Sequence, residues 1–132
     1  MRYNEFYSEI GKLLYAVADI DGAITKREKK ALQEIIRNEL VPAEKHTDAY
    51  GTDAAYYAEM EFDFLDEQTA DSETAFNSFI DFIEEHHTAL DERMKKVCLH
   101  IADELASAYK RKNKKENALI QKLKDRLKKH FH

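Results

Sequence analysis

Three acidic residues around one glycine form the pattern in the sequence with the clearest chemistry. Asp19 and Asp21 precede Gly22, and Glu28 follows it. Hard cations such as calcium and magnesium bind several oxygen ligands that converge from a tight loop, and glycine permits the turn that such a loop needs. The spacing predicts a divalent-metal site (calcium, magnesium or zinc) with Asp19, Asp21 and Glu28 as its ligands.

A purely structural interpretation of the same residues stays open. Thr25 and Glu28 have the spacing of a capping box, in which the Thr25 hydroxyl accepts a hydrogen bond from the Glu28 N–H and the carboxylate reaches back. Such a cap stabilises a helix by about 1 kcal/mol. Asp19 projects away from the apolar side of its predicted helix. Asp21 falls at a helix end, where carboxylates commonly form turns.

An EF-hand is the competing motif at this position. With Gly22 at the sixth position of a calcium loop, Glu28 falls at the twelfth, as the motif requires. The first position is then Val17, which lies in an apolar helical stripe and has no carboxylate to offer. The sequence therefore argues against a true EF-hand.

Residues typical of enzymes do not form a catalytic arrangement. Glu84 and His87 have the spacing of half a di-iron carboxylate site, but the sequence holds no second Glu-x-x-His. Cys98 is the single cysteine, so it forms no internal disulfide, and its place beside Val97 and Ile101 predicts a packed side chain. There is no Cys-x-x-Cys, Gly-rich phosphate loop or Ser/His/Asp order. The sequence favours a binding protein over an enzyme.

Acidic and basic residues are segregated along the chain, whose net charge is −5. Residues 46–92 carry 14 acidic side chains and no Lys or Arg, whereas residues 110–129 carry ten basic side chains and two acidic ones. The split predicts protein partners or self-association through the acidic and basic faces. Binding of nucleic acid or anionic membrane by the basic C-terminal helix is a disfavoured alternative, because the acidic remainder repels phosphates.

Hydrophobic residues recur at helical spacing in six segments, and no segment alternates as a half-buried strand does. Residues 1–132 are therefore predicted to form one all-α domain, a helical bundle of about six helices. The first predicted helix runs from Asn4 to about Ile20, and the second runs from Thr25 to near Leu40, before Pro42. A loop is predicted from His46 to Gly51. The remaining four helices are predicted to begin at Thr52 or Asp53, at Asp71 or Ser72, at Thr88 and at Asn113. The third has an apolar set of Tyr56, Tyr57, Met60, Phe64 and Leu65.

The sequence also bears on cellular location. Residues 1–5 lack the apolar run of a signal peptide, and no stretch approaches the roughly 18 apolar residues of a membrane span. A single cysteine fits a reducing compartment. These features predict a cytoplasmic protein that does not cross a membrane.

A weak internal repeat relates the two ends of the chain. Val17-Ala-Asp19 precedes a Glu followed by aliphatic residues four and seven positions later, and Ile101-Ala-Asp103 precedes the same pattern. The repeat predicts that the bundle is built from two pseudo-repeated helical hairpins.

The first copy, Ala18-x-x-Asp21-Gly22 followed by Glu28, resembles the TerB-like tellurite-resistance family. In that family an apolar helix ends in Ala-x-x-Asp-Gly, and a Glu lies near the start of the next helix. The resemblance implies an all-helical bacterial protein of the tellurite and stress response that acts by binding metal or a protein partner. The second copy departs from the pattern, because Asp103 is followed by Glu104 rather than by glycine.

Overall fold

The computed structural model describes residues 3–20, 22, 24–43, 48–108 and 114–131. These residues form α-helices joined by turns, with no strand among them. The helices are α1 (Tyr3–Asp19), α2 (Lys26–Ala43), α3 (Asp48–Gln68), α4 (Ser72–His86), α5 (Glu92–Ala108) and α6 (Lys114–His130). The predicted all-α bundle of six helices is confirmed.

Helix α1 lies at the centre of the bundle. Its apolar residues, at the helical spacing read from the sequence, have no solvent exposure: Phe6, Ile10, Leu13, Leu14 and Val17. The helix makes its most extensive contact with α3 and its next with α4, whereas α2 packs against α3 and α5. Most residues of α1 are apolar, as suits a helix that neighbouring helices cover from several sides.

A glycine permits the close packing of α1 on α3. A Cβ atom added to Gly11 would overlap the backbone carbonyl oxygen of Ala58 and come 3.1 Å from the Cβ of Glu61. Gly11 and Ala58 are both buried. Small residues at a helix crossing let the two backbones approach each other, so these two residues set which side of α3 faces the core.

The orientation of α3 differs from the prediction. Ala55, Ala58 and Phe62 are buried, and Tyr57 and Leu65 are partly buried against the core. Three members of the predicted apolar set are instead exposed: Tyr56, Met60 and Phe64. Helix α3 is apolar on two sides, and the side with the alanines fits against Gly11.

Two helix boundaries also differ from the prediction. Helix α2 continues through Pro42 to Ala43 and so ends one residue after the proline. Helix α3 begins at Asp48, so Thr52 and Asp53 lie within it and do not cap it. Gly51 does not delay the start of α3, since one glycine within a helix costs only about 1 kcal/mol.

Acidic residues begin α4 and α5. The Asp71 carboxylate accepts hydrogen bonds from the Thr74 N–H at 2.9 Å and from the Thr74 hydroxyl at 2.8 Å. The Asp91 carboxylate accepts one from the Met94 N–H at 2.8 Å. The predicted cap at Asp71 is confirmed, and Asp91 rather than Thr88 caps α5.

Helix α6 turns one apolar side inward, formed by Ile120, Leu123 and Leu127. Two of its basic residues pair with acids of other helices. Arg126 Nη1 lies 3.0 Å from Glu84 Oε1, and Lys124 Nζ lies 3.5 Å from Asp103 Oδ1. Part of the basic segment therefore docks on acids of this chain. Among the described residues, no helix has the length and apolar character needed to cross a membrane.

Candidate functional site

In the connection between α1 and α2, Gly22 and the Thr25–Glu28 pair are described, whereas Asp21 and Ala23 lie outside the described residues. Gly22 has a φ of 93°, a backbone conformation that favours glycine, and its N–H donates to the Asp19 carbonyl oxygen at 2.8 Å. Thr25 and Glu28 form the capping box. The Glu28 N–H donates to Thr25 Oγ1 at 3.1 Å, and the Thr25 N–H and hydroxyl both donate to Glu28 Oε1. Glu28 therefore has a structural role at the start of α2.

Tyr15, near the end of α1, has a pKa that is raised by burial and by the charge of Asp19. The Tyr15 hydroxyl donates to the Ala70 carbonyl oxygen at 2.7 Å, which ties α1 to the link between α3 and α4. Burial, followed by the charge of Asp19, raises the pKa of Tyr15 to about 12. The phenol therefore stays protonated and continues to donate its hydrogen bond.

The predicted metal ligands are only partly described by the structure. Asp19 and Glu28 lie at the two ends of the turn, and Asp21 lies outside the described residues. Within the described parts of the chain, no three His, Cys, Asp or Glu residues are arranged to hold a metal ion. Two carboxylates, one of them engaged in a capping box, supply only part of the six to eight oxygen ligands that calcium takes. A metal site here stays a prediction.

Glu84 and His87 do not form the ligand pair that their spacing suggested. The Glu84 carboxylate pairs with Arg126, and His130 Nε2 lies 3.5 Å from the same oxygen. The His87 ring lies against the His130 ring, with a centroid distance of 5.4 Å. These contacts hold the end of α6 against the end of α4.

Cys98 is packed, as the sequence predicts. Its side chain has no solvent exposure. Burial raises the pKa of the Cys98 thiol well above its usual range. A thiol that stays protonated is a poor nucleophile and a poor metal ligand, so Cys98 belongs to the core.

A polar network that the sequence did not reveal joins α1 to α4. Glu9 is only 6% exposed, and its carboxylate accepts a hydrogen bond from Ser78 Oγ at 2.7 Å. Lys12 Nζ lies 2.9 Å from Glu9 Oε2 and donates to Ser78 Oγ at 3.2 Å. Lys12 is engaged in an ion pair instead of being poised to take a proton from Ser78, so the network is structural. The sequence shows the Glu9–Lys12 spacing but not the distant serine.

A second polar cluster joins α2 to α5. His100 Nδ1 lies 3.3 Å from Glu39 Oε2. A hydrogen bond with the Glu39 carboxyl group, followed by burial, raises the pKa of Glu104 to about 7. The two carboxyl groups can share one proton, since neighbouring like charges disfavour double ionisation.

The largest exposed apolar surface among the described residues lies on α3. Tyr56 is 58% exposed, Met60 45% and Phe64 55%. We call these three residues the α3 stripe. They are spaced four residues apart, so they follow one side of the helix for about 12 Å. Contiguous exposed apolar residues of this size are typical of interaction sites, and Met and aromatic residues are common there.

Acidic residues surround the α3 stripe. A shallow depression on one side of Met60 is lined by Glu59, Asp63 and Glu67. A second depression, on the α1 side, is lined by Glu5 together with Asn4, Ser8, Glu9, Lys12, Tyr57 and Phe82. We call Glu5, Glu59, Asp63 and Glu67 the acidic rim.

Only half of the acidic rim is neutralised within the described structure. Arg37 Nε lies 3.3 Å from Glu59 Oε1, and Lys29 Nζ lies 3.1 Å from Asp63 Oδ1. Both cations come from α2. Glu5 and Glu67 have no ion pair among the described residues.

Comparison with known proteins gives no match: no family model fits the chain, and no curated protein or solved structure is significantly similar to it. Function is therefore inferred from the geometry of the described residues.

Proposed function

We propose that this chain is a non-enzymatic protein-interaction module, independent of metal, whose binding surface is the α3 stripe. The observation that carries the proposal is the exposure of Tyr56, Met60 and Phe64 on one side of a helix whose other side is firmly packed. Each of these side chains loses favourable burial by facing water, at roughly 25 cal/mol per Å² of apolar surface. A binding role explains why this side of α3 is apolar.

The helix that carries the stripe is well suited to present it. Phe62 is 3% exposed and packs edge-on against Tyr15, with the ring centroids 6.0 Å apart. The Gly11–Ala58 crossing fixes the rotation of α3 on α1. A rigid helix loses little conformational freedom on binding, which favours affinity.

Divalent-metal binding at the turn between α1 and α2 is the second candidate. The observation in its favour is Gly22, which has a positive φ three residues after α1 ends at Asp19. The TerB-like resemblance belongs with this candidate, and so does a role in the tellurite and stress response. The resemblance rests on Ala18, Asp21, Gly22 and Glu28, and the predicted metal ligands are Asp19, Asp21 and Glu28.

Site-specific photocrosslinking tests the interaction proposal. We would place p-benzoylphenylalanine at Met60 on the stripe and, as a matched control, at Leu99, which is 39% exposed on α5. Crosslinking would be carried out in the cells that express the protein. The expected result is a discrete crosslinked protein at position 60 that is absent at position 99.

Reconstitution completes that test. The crosslinked protein would be purified and its affinity for the wild-type chain compared with that for Met60→Gln. We expect the substitution to weaken binding by about tenfold or more, as for a central apolar contact residue. Equal affinity of the two chains, or the same crosslinks at both positions, would contradict the proposal.

A further inference from the structure

We infer that the occupant of the α3 stripe is a cationic amphipathic helix of another protein. The inference rests on the proposed function and names the partner chemistry. It combines the length of the stripe, the charge of its rim and the surfaces that a second copy of this chain could offer.

The dimensions of the stripe fit a helix. From Tyr56 to Phe64 the stripe extends for about 12 Å, a little over two helical turns. A shallow depression follows each side of Met60. Helical ligands typically place three or four apolar side chains in such a shallow groove at spacings of three and four residues. An extended strand has no exposed sheet edge to join among the described residues.

The charge of the rim selects a basic partner. Glu5 lies beside Met60 on the α1 side, and Glu67 lies beside Phe64 at the far end of the stripe. Both are exposed and lack an ion pair among the described residues. The segment that contains the stripe has no Lys or Arg from residue 46 to residue 92. Basic residues on the edges of a bound helix would pair with Glu5 and Glu67, whereas acidic residues would be repelled.

A second copy of this chain does not supply that surface. Stacking two α3 stripes would bring the acidic rim of one copy against that of the other. Helix α6 is basic, but its large apolar residues are buried or partly buried. Among the residues whose solvent exposure the structure describes, Leu99 is the only large apolar residue outside the stripe with high exposure. An anionic membrane is disfavoured by the same rim.

Two designed peptides test the inference. Both would be helices of about 18 residues, long enough to fold in part when free. They would share one apolar side of Leu residues; the polar side would carry Lys and Gln in one peptide and Glu and Gln in the other. Fluorescence anisotropy with the purified full chain would give the two dissociation constants. The Lys peptide is expected to bind about tenfold more tightly at low salt, with the difference shrinking as salt rises.

Matched variants separate specific binding from attraction to a chain of net charge −5. Glu5→Gln with Glu67→Gln should weaken binding of the Lys peptide by about threefold or more. Glu34→Gln with Glu73→Gln removes the same charge from exposed positions on α2 and α4 and should have little effect. Met60→Gln should abolish binding of both peptides.

Three outcomes would overturn the inference. Equal affinity of the two peptides would exclude a preference for a basic partner, although the stripe would still be a binding surface. Binding of neither peptide would exclude a cationic helix, while the crosslinks at position 60 decide the proposed function separately. Sedimentation that shows a wild-type dimer and a Met60→Gln monomer would identify the occupant as a second copy.

Discussion

Gly11 of α1 lies directly against the backbone carbonyl oxygen of Ala58 in α3. A Cβ atom at position 11 would overlap that oxygen, so there is no room for a side chain. Gly11→Ala is therefore expected to lower the free energy of unfolding by about 1–3 kcal/mol, the usual cost of forcing an atom into a packed core. On an exposed helix the same change would stabilise, because alanine has the higher helix propensity. Urea denaturation measures the difference. Asn38→Ala, at an exposed position of α2, is the control and should stabilise by up to about 0.7 kcal/mol.

Phe62 and Phe64 form a matched pair on opposite sides of α3. Phe62 is 3% exposed and Phe64 is 55% exposed. Phe62→Ala should lower the free energy of unfolding by about 3–5 kcal/mol, whereas Phe64→Ala should change it by less than about 0.5 kcal/mol. Denaturant unfolding of the two variants decides the orientation of α3. The reverse order of effects would show that the helix turns its other side to the core.

The Glu39–Glu104 pair should make stability depend on pH. The hydrogen bond to Glu39 raises the pKa of Glu104 from a usual value of 4.5 to about 7. A folded state that holds the proton more tightly is favoured at low pH, so this contribution is full below pH 4.5 and is lost as pH rises through about 7. Glu104 is partly exposed, so solvent screening keeps the effect small.

Comparison with Glu104→Gln isolates that contribution. The amide cannot ionise, so the unfolding free energy of wild type relative to the variant should fall as pH increases from 4.5 to 8. A difference that does not change with pH would show that the two carboxyl groups do not share a proton.

The metal prediction can be tested without disturbing the capping box. After chelator treatment, calcium, magnesium or zinc should raise the Tm of the wild-type chain, because a ligand that binds only the folded state stabilises it. Asp21→Asn should abolish that rise and leave the Tm without metal nearly unchanged. Asp103→Asn, at the position of the second repeat that matches Asp19, is the control. A metal response in Asp21→Asn equal to that of the wild type would mean that the predicted site is wrong.

Much of the fold could be predicted from local sequence signals. The spacing of Phe6, Ile10 and Leu13 marks a buried side of α1, and all three are buried. The Asp71 cap and the Thr25–Glu28 capping box each join residues three positions apart, so their hydrogen bonds can be predicted from sequence spacing alone. Signals of this kind act within one or two helical turns.

The orientation of α3 could not be predicted in the same way. Both sides of the helix carry apolar residues, and the choice between Phe62 and Phe64 depends on Gly11, which lies about fifty residues earlier in the chain. Periodicity therefore groups the α3 stripe with Tyr57 and Leu65 in one apolar set, although the stripe is exposed and is the best candidate for a binding surface. The link between Glu9 and Ser78 spans 69 residues of sequence. Contacts of this range are set by packing, which composition and periodicity do not encode.

The burial of Cys98 gives the protein an internal reporter of its own opening. An alkylating reagent can reach this sulfur only when α5 separates from the core, since the thiol has no solvent contact and its pKa is raised by burial. The rate of labelling at this single thiol therefore measures how often the bundle opens locally around Cys98. Oxidants meet the same barrier, so the native chain is shielded from cysteine damage until it begins to unfold.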